Sequence, residues 1–361
     1  MGRWWIAFVG AALVGTSMVG VPAAGGAAGT ITTVAGNGSL GFCGDGGPAI
    51  SACIFFPEDD AVDARGRQFI VDGDNNRIRR VAHGIIRTIA GNGKQRFCGD
   101  GRRAVNACLR NPEGVAVDAQ DNVYIADTEN YRIRKIDPSG FISTIAGTGV
   151  SAYCGDNGPA IDACLRWPMS IAVDASGDVF FSDVFNDRIR KIDSAGVIST
   201  VAGRGTDGFC GDGGPAIDAC LSVPEGIALD AQGDLYIADA RNDRIRRVRN
   251  GMISTVAGNG TEGFCGDGGP AVDACLDFPR AVGVDHSGAV YVVDTKNRRV
   301  RRIDEAGTIR TFAGGGSERF CGDGGPPRLA CLSFPSGVTF DARRHVYIAD
   351  SGNGRIREVF R

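Results

Sequence analysis

The sequence predicts an all-β protein: a six-bladed β-propeller of four-stranded blades, with one disulfide per repeat. Three observations lead there. An eleven-residue stretch, Cys-Gly-Asp-Gly-Gly-Pro-Ala-x-x-Ala-Cys, recurs with small changes, opening at Cys43, Cys98, Cys154, Cys210, Cys265 and Cys321. Successive openings lie 55 or 56 residues apart, a period that belongs to solenoids and propellers. Between them run four short segments rich in β-branched and aromatic residues, separated by turn chemistry and without helical period.

The second repeat shows the unit most clearly. Residues 114–118 form a short apolar strand and 119–122 a turn, and Val-Tyr-Ile-Ala-Asp at 123–127 is a second strand. Residues 132–136 make the third strand, Asp137-Pro138-Ser139-Gly140 turns the chain, and residues 141–146 make the fourth. The last repeat offers strands at 338–341, 345–350 and 355–360 and then stops, whereas residues 31–35 are a fourth strand with no first three. Pairing these ends closes a propeller over residues 30–361 and removes two exposed strand edges.

Residues 1–28 read as a signal peptide. Arg3 precedes an uncharged apolar run over 4–21, and small residues follow at 22–28. An uncleaved anchor is the alternative, since the run approaches spanning length. All 12 cysteines fall in the repeated stretch, and no Cys-x-x-Cys pair suggests zinc. Behind a leader they read as a disulfide framework in an oxidising compartment. Identical spacing makes pairing within each repeat the simplest solution: Cys43–Cys53, Cys98–Cys108, Cys154–Cys164, Cys210–Cys220, Cys265–Cys275 and Cys321–Cys331. The expected location is secreted, extracellular or cell-envelope, with no stable membrane insertion after cleavage. The net charge of −3 gives no basic footprint for nucleic acid.

Asp127-Thr128-Glu129-Asn130-Tyr131-Arg132-Ile133-Arg134-Lys135-Ile136 resembles the signature of the NHL-repeat family. It recurs as Asp72-Asn75-Arg77, Asp183-Asn186-Arg188, Asp239-Asn242-Arg244, Asp294-Asn297-Arg299 and Asp350-Asn353-Arg355. The layout is similar to secreted bacterial NHL propellers and to the NHL domain of teneurins. That resemblance implies a binding or scaffolding module for an extracellular protein or glycan. Fold alone does not fix activity. Some NHL-related propellers are metal-dependent lyases and some six-bladed relatives hydrolyse lactones, so a metal-dependent hydrolase or lyase is the alternative.

Antiparallel connectivity places the second-to-third-strand loops on the same face as the cysteine loops. Asp127 with Arg132, and the five equivalent pairs, read as internal braces. Asp100 and its equivalents invite a calcium reading, but the glycines around them suffice to explain a tight turn. Informative positions are those where one blade departs from the rest. Leading into the innermost strands, near the central channel, stand Glu58, Glu113, Met169, Glu225, Arg280 and Ser336. Asp59 and Asp60 replace a glycine and an apolar residue, and a buried Asp60 needs a partner. Lys94, Arg96, Arg102 and Arg103 surround Cys98 as a basic counterpart to the acidic first blade. Glu58, Asp59, Asp60, Lys94, Arg96, Arg102, Arg103, Glu113, Glu225 and Arg280 are the expected partner-binding set, unless the asymmetry is drift on a solvated surface. No catalytic residues are expected. Glu58, Glu113 and Glu225 converging on a divalent cation such as calcium would be the enzyme-compatible site; otherwise no cofactor is expected. His83, His286 and His345 fall on the opposite face in different blades, which argues against a shared metal.

Overall fold

The computed structural model describes residues 29–361, and each repeat folds as one antiparallel sheet. The first blade comprises Pro57–Val62, Gln68–Asp72, Arg77–Ala82 and Ile85–Ala90, from the axis outward. The second comprises Gly114–Val117, Val123–Asp127, Arg132–Ile136 and Phe141–Ala146. The sixth has Pro335–Phe340, Val346–Asp350 and Arg355–Val359, and takes Ile31–Ala35 as its outer strand, with Ile31 opposite Val359. The ring closes as the strand pattern predicts. The signal peptide expected over residues 1–28 lies outside the described residues; among those described, no helix is long and apolar enough to cross a membrane.

All six disulfides join cysteines of one repeat. Their loops do more than connect blades on one face. The Asp45 carboxylate accepts from the Thr88 amide, Gly46 donates to the Ile86 carbonyl, and Ala49 donates to the Gly84 carbonyl in the turn at the far face. Each loop thus runs down the outer edge of its own blade and satisfies edge groups that would otherwise face solvent. In the second blade this contact becomes a fifth strand, Arg102–Arg103, opposite Ile142 and Phe141. The loop alanines and leucine enter the seams between blades. Ala104, Ala107 and Leu109 are fully buried among Val71 and Ile78 of one blade and Val123 and Ile125 of the next. Burying such a leucine stabilises by about 1.5–3 kcal/mol.

The brace exists in every blade, with a different arginine from the one expected. Arg134 Nη1 lies 3.0 Å from Asp127 Oδ2, and Nη2 reaches the Cys98 carbonyl at 3.3 Å and Asp100 Oδ1 at 2.7 Å. Arg79, Arg190, Arg246, Arg301 and Arg357 do the same, and all six are fully buried. A buried carboxylate requires a desolvated partner, and Arg134 supplies it. Arg132 stands opposite Asp127 in the ladder but at the strand end. Its guanidinium turns outward, donates to the Asn130 and Thr148 carbonyls, and lies 3.8 Å from the Phe97 ring centroid. The loop glycine Gly149 makes room for it: a Cβ there would stand 2.3 Å from Arg132 Nη1. Asp100 belongs to the brace as well, because its second oxygen accepts from Thr144 Oγ1 at 2.7 Å.

Candidate functional site

At the channel mouth, the blade-specific residues meet across the axis. Arg280 Nη2 lies 3.0 Å from Glu58 Oε2 and 3.2 Å from Glu113 Oε2, and its Nε lies 3.2 Å from Glu225 Oε2. The cation on which the three glutamates converge is therefore a guanidinium of the fifth blade. Asn111 adds a hydrogen bond to Glu113 Oε1 at 3.0 Å. Glu58 Oε2 and Glu225 Oε2 are buried and within ion-pair distance, yet poorly aligned for hydrogen bonds. One cation cannot neutralise three carboxylates. Burial, opposed by Arg280, pushes Glu113 up to about 8 and Glu225 to about 7, and also raises Glu58. Burial pulls the Arg280 pKa down, but the three glutamates outweigh it and hold it above its ordinary value. Met169 packs against Val184 and Val223, and Ser336 donates to the Pro57 carbonyl at 3.1 Å, which completes the ring of six.

Further along the axis a cavity of about 240 Å³ is lined by the innermost strands of all six blades. Asp59 and Asp60 face it. Asp60 has the partner its burial demands, Gln68 Nε2 at 2.9 Å, while its other oxygen is buried unpaired. Asp59 accepts from the Asp60 and Val115 amides. Burial pushes Asp60 up to about 7, and burial together with the Asp60 charge pushes Asp59 to about 8.

The expected pairing of an acidic first blade with a basic second loop is not one patch. The carboxylates line the bore, whereas Lys94, Arg96, Arg102 and Arg103 are exposed along the cysteine loop on the outer rim. The strand alternation that turns Asp60 inward and the loop that clasps the outer edge separate them. Arg103 instead enters a cleft of about 460 Å³ between blades one and two, with Arg67, Phe69, Arg80, Thr88, Asp121 and Asp137. Arg67 is paired with Asp63 and Asp121. Among the described residues, no carboxylate lies within ion-pair distance of Arg80 or Arg103. Arg103 donates to the Ser139 carbonyl and lies 4.8 Å from the Phe141 ring centroid.

The Teneurin NHL domain profile matches residues 92–152, 149–209, 203–263 and 259–320, and an NHL repeat profile matches 332–358. The chain belongs to the teneurin NHL family. It is 28% identical to Teneurin-1 of Homo sapiens over 379 aligned residues, covering 92% of this chain and 13% of that protein. The chain thus spans about an eighth of the length of the teneurins it matches. Among solved structures it is similar to an auxiliary nutrient binding protein of Bacteroides ovatus, with TM-score 0.65, 16% identity, and coverage of 91% of this chain and 75% of that one. A gluconolactonase of Xanthomonas campestris has TM-score 0.53 and 16% identity, with 85% and 88% covered. Both likenesses concern the fold.

Two features of this NHL propeller escape a reading by motif. The aromatic residue before each first cysteine (Phe42, Phe97, Tyr153, Phe209, Phe264 or Phe320) is exposed and stacks on two arginines of its blade. Its recurrence at one position was the available signal. His345 Nδ1 lies 2.8 Å from Glu358 Oε1 and 3.2 Å from Asp341 Oδ2 within its own blade.

Proposed function

We propose that this NHL propeller is an extracellular binding module that takes an acidic group of a protein or glycan partner in the cleft between blades one and two. The observation that carries this is the pair Arg80 and Arg103, two guanidiniums lining one cleft without carboxylate partners. Guanidinium favours carboxylate and sulfate oxygens through paired N–H donors. Six disulfides support an oxidising compartment. The hydrolase alternative draws no support from the channel mouth, where Arg280 already engages all three glutamates. Arrays of extracellular proteins and of acidic and neutral glycans, probed with the propeller and with its Arg102→Glu/Arg103→Glu variant, test the proposal. Capture of acidic partners that the variant loses is expected; an identical capture profile for both proteins contradicts it.

A further inference from the structure

The sixth blade carries a constellation that no other blade has. In every blade an aspartate opens the turn after the innermost strand. In blade two, Asp118 Oδ1 accepts from the Gln120 and Asn122 amides, and Oδ2 accepts from the Asn122 side chain and from Tyr124. Blade six keeps the frame: Asp341 Oδ1 accepts from the Arg343 and His345 amides, and Tyr347 reaches Oδ2 at 3.4 Å. Two residues differ. His345 stands where blade two has Asn122. Glu358 stands where the other five blades have Arg80, Lys135, Lys191, Arg247 and Arg302.

The result is an imidazole nitrogen and two carboxylate oxygens within 4.8 Å of one another. Asp341 and Glu358 are buried, and His345 is the only ion-pair partner of either among the described residues. Two carboxylates thus face a single imidazole in a largely buried site. Arg361, at the chain's end, is engaged by Asp285 Oδ2 at 2.9 Å.

We propose that Asp341, His345 and Glu358 form a binding site for a first-row divalent metal, zinc above all. The donor set of one nitrogen and two carboxylate oxygens suits zinc, whereas calcium takes oxygen alone. Ligands about 2.0 Å from a tetrahedral zinc stand roughly 3.3 Å apart. His345 Nδ1 lies 3.2 Å from Asp341 Oδ2 and 2.8 Å from Glu358 Oε1, so the Glu358 oxygen would move out by a few tenths of an ångström to admit the ion. Tyr347 donates to Glu358 Oε1 at 3.0 Å and holds that carboxylate in place, and Phe360 packs on the imidazole at 5.1 Å between ring centroids. His345 is partly exposed, which gives an ion a path to the site from solvent.

The test uses the whole propeller, stripped with chelator and titrated calorimetrically with zinc chloride and, separately, calcium chloride. One zinc per chain is expected, with no heat from calcium in the same range. His345→Asn and Glu358→Lys install residues that sister blades already accommodate, so both variants are expected to keep the fold. Each is expected to weaken zinc at least tenfold and to abolish the zinc-induced rise in Tm. A propeller that binds no zinc, that binds calcium equally well, or whose zinc survives both substitutions overturns the proposal. Should Glu358→Lys fail to fold, His345→Asn decides alone.

Discussion

Arg280 of the fifth blade lies 3.2 Å from Glu113 of the second, so a single ion pair spans the channel between opposite sides of the propeller. With Glu58 and Glu225 on the same guanidinium, four blades are tied at one point on the axis. Removing one partner of a buried ion cluster costs more than the cluster contributes, because the charges left behind lose compensation.

Arg280→Met is therefore expected to destabilise the propeller by roughly 3–5 kcal/mol at pH 8. Without the cation the glutamates hold their protons more strongly, so the loss shrinks towards pH 5. Urea denaturation at the two pH values measures both. Equal losses at pH 5 and pH 8 would count against a charge cluster.

Asp60 gives a pH dependence with a defined sign. Its folded pKa is raised to about 7, by burial first, above the ordinary carboxylate range. The folded state keeps a proton that the unfolded chain releases, so this stabilisation is complete below about pH 4 and disappears as pH rises towards 7. Asp59, raised to about 8, and Glu113 and Glu225 extend the window to about pH 8. Tm should fall from pH 5 to pH 8. Asp60→Val with Gln68→Val, the residues of blade two at these positions, should flatten that fall and raise Tm at pH 8.

The brace separates two neighbouring arginines. Arg134→Met leaves buried Asp127 without its ion pair and should cost about 3–5 kcal/mol. Arg132→Met removes a partly exposed stacking and carbonyl contact and should cost about 1 kcal/mol. Equilibrium unfolding of the two variants compares them; the reverse order would restore Arg132 as the brace.

Each disulfide closes a loop of sequence separation 10. Cys98→Ser with Cys108→Ser is expected to lose about 2–3 kcal/mol in the chain-entropy picture. Because the loop also clasps the outer strand, hydrogen exchange should rise at Ile142, which pairs with Arg102, before the blade core. Uniform exchange across the blade would contradict the clasp.

Much of the architecture was legible because each blade repeats the same solution. Strand positions, ring closure and cysteine pairing follow from a period that places identical residues in identical surroundings. The loop path was not legible: Gly-Gly-Pro reads as a connector, and its contacts with Ile86 and Gly84 depend on which strand edge lies free. The Arg134 brace was hidden for a similar reason, since both arginines point to one side of the strand and only burial distinguishes them. Glu58, Glu113, Glu225 and Arg280 were visible as departures at one repeat position, but their convergence requires the geometry of a closed ring. Gln68 was a missed signal, a polar residue where the other blades have valine or leucine. Glu358 was another, an acid at a position that is otherwise basic.

The binding proposal is tested most directly by surface plasmon resonance against an acidic partner captured on the arrays. Three proteins are compared: the propeller, Arg80→Ala/Arg103→Ala in the cleft, and Lys94→Ala/Arg96→Ala on the exposed loop. The cleft variant should lose at least tenfold in affinity, about 1.4 kcal/mol, while the loop variant stays within about twofold. Equal losses in both variants, or none in the cleft variant, would contradict the cleft as the binding site.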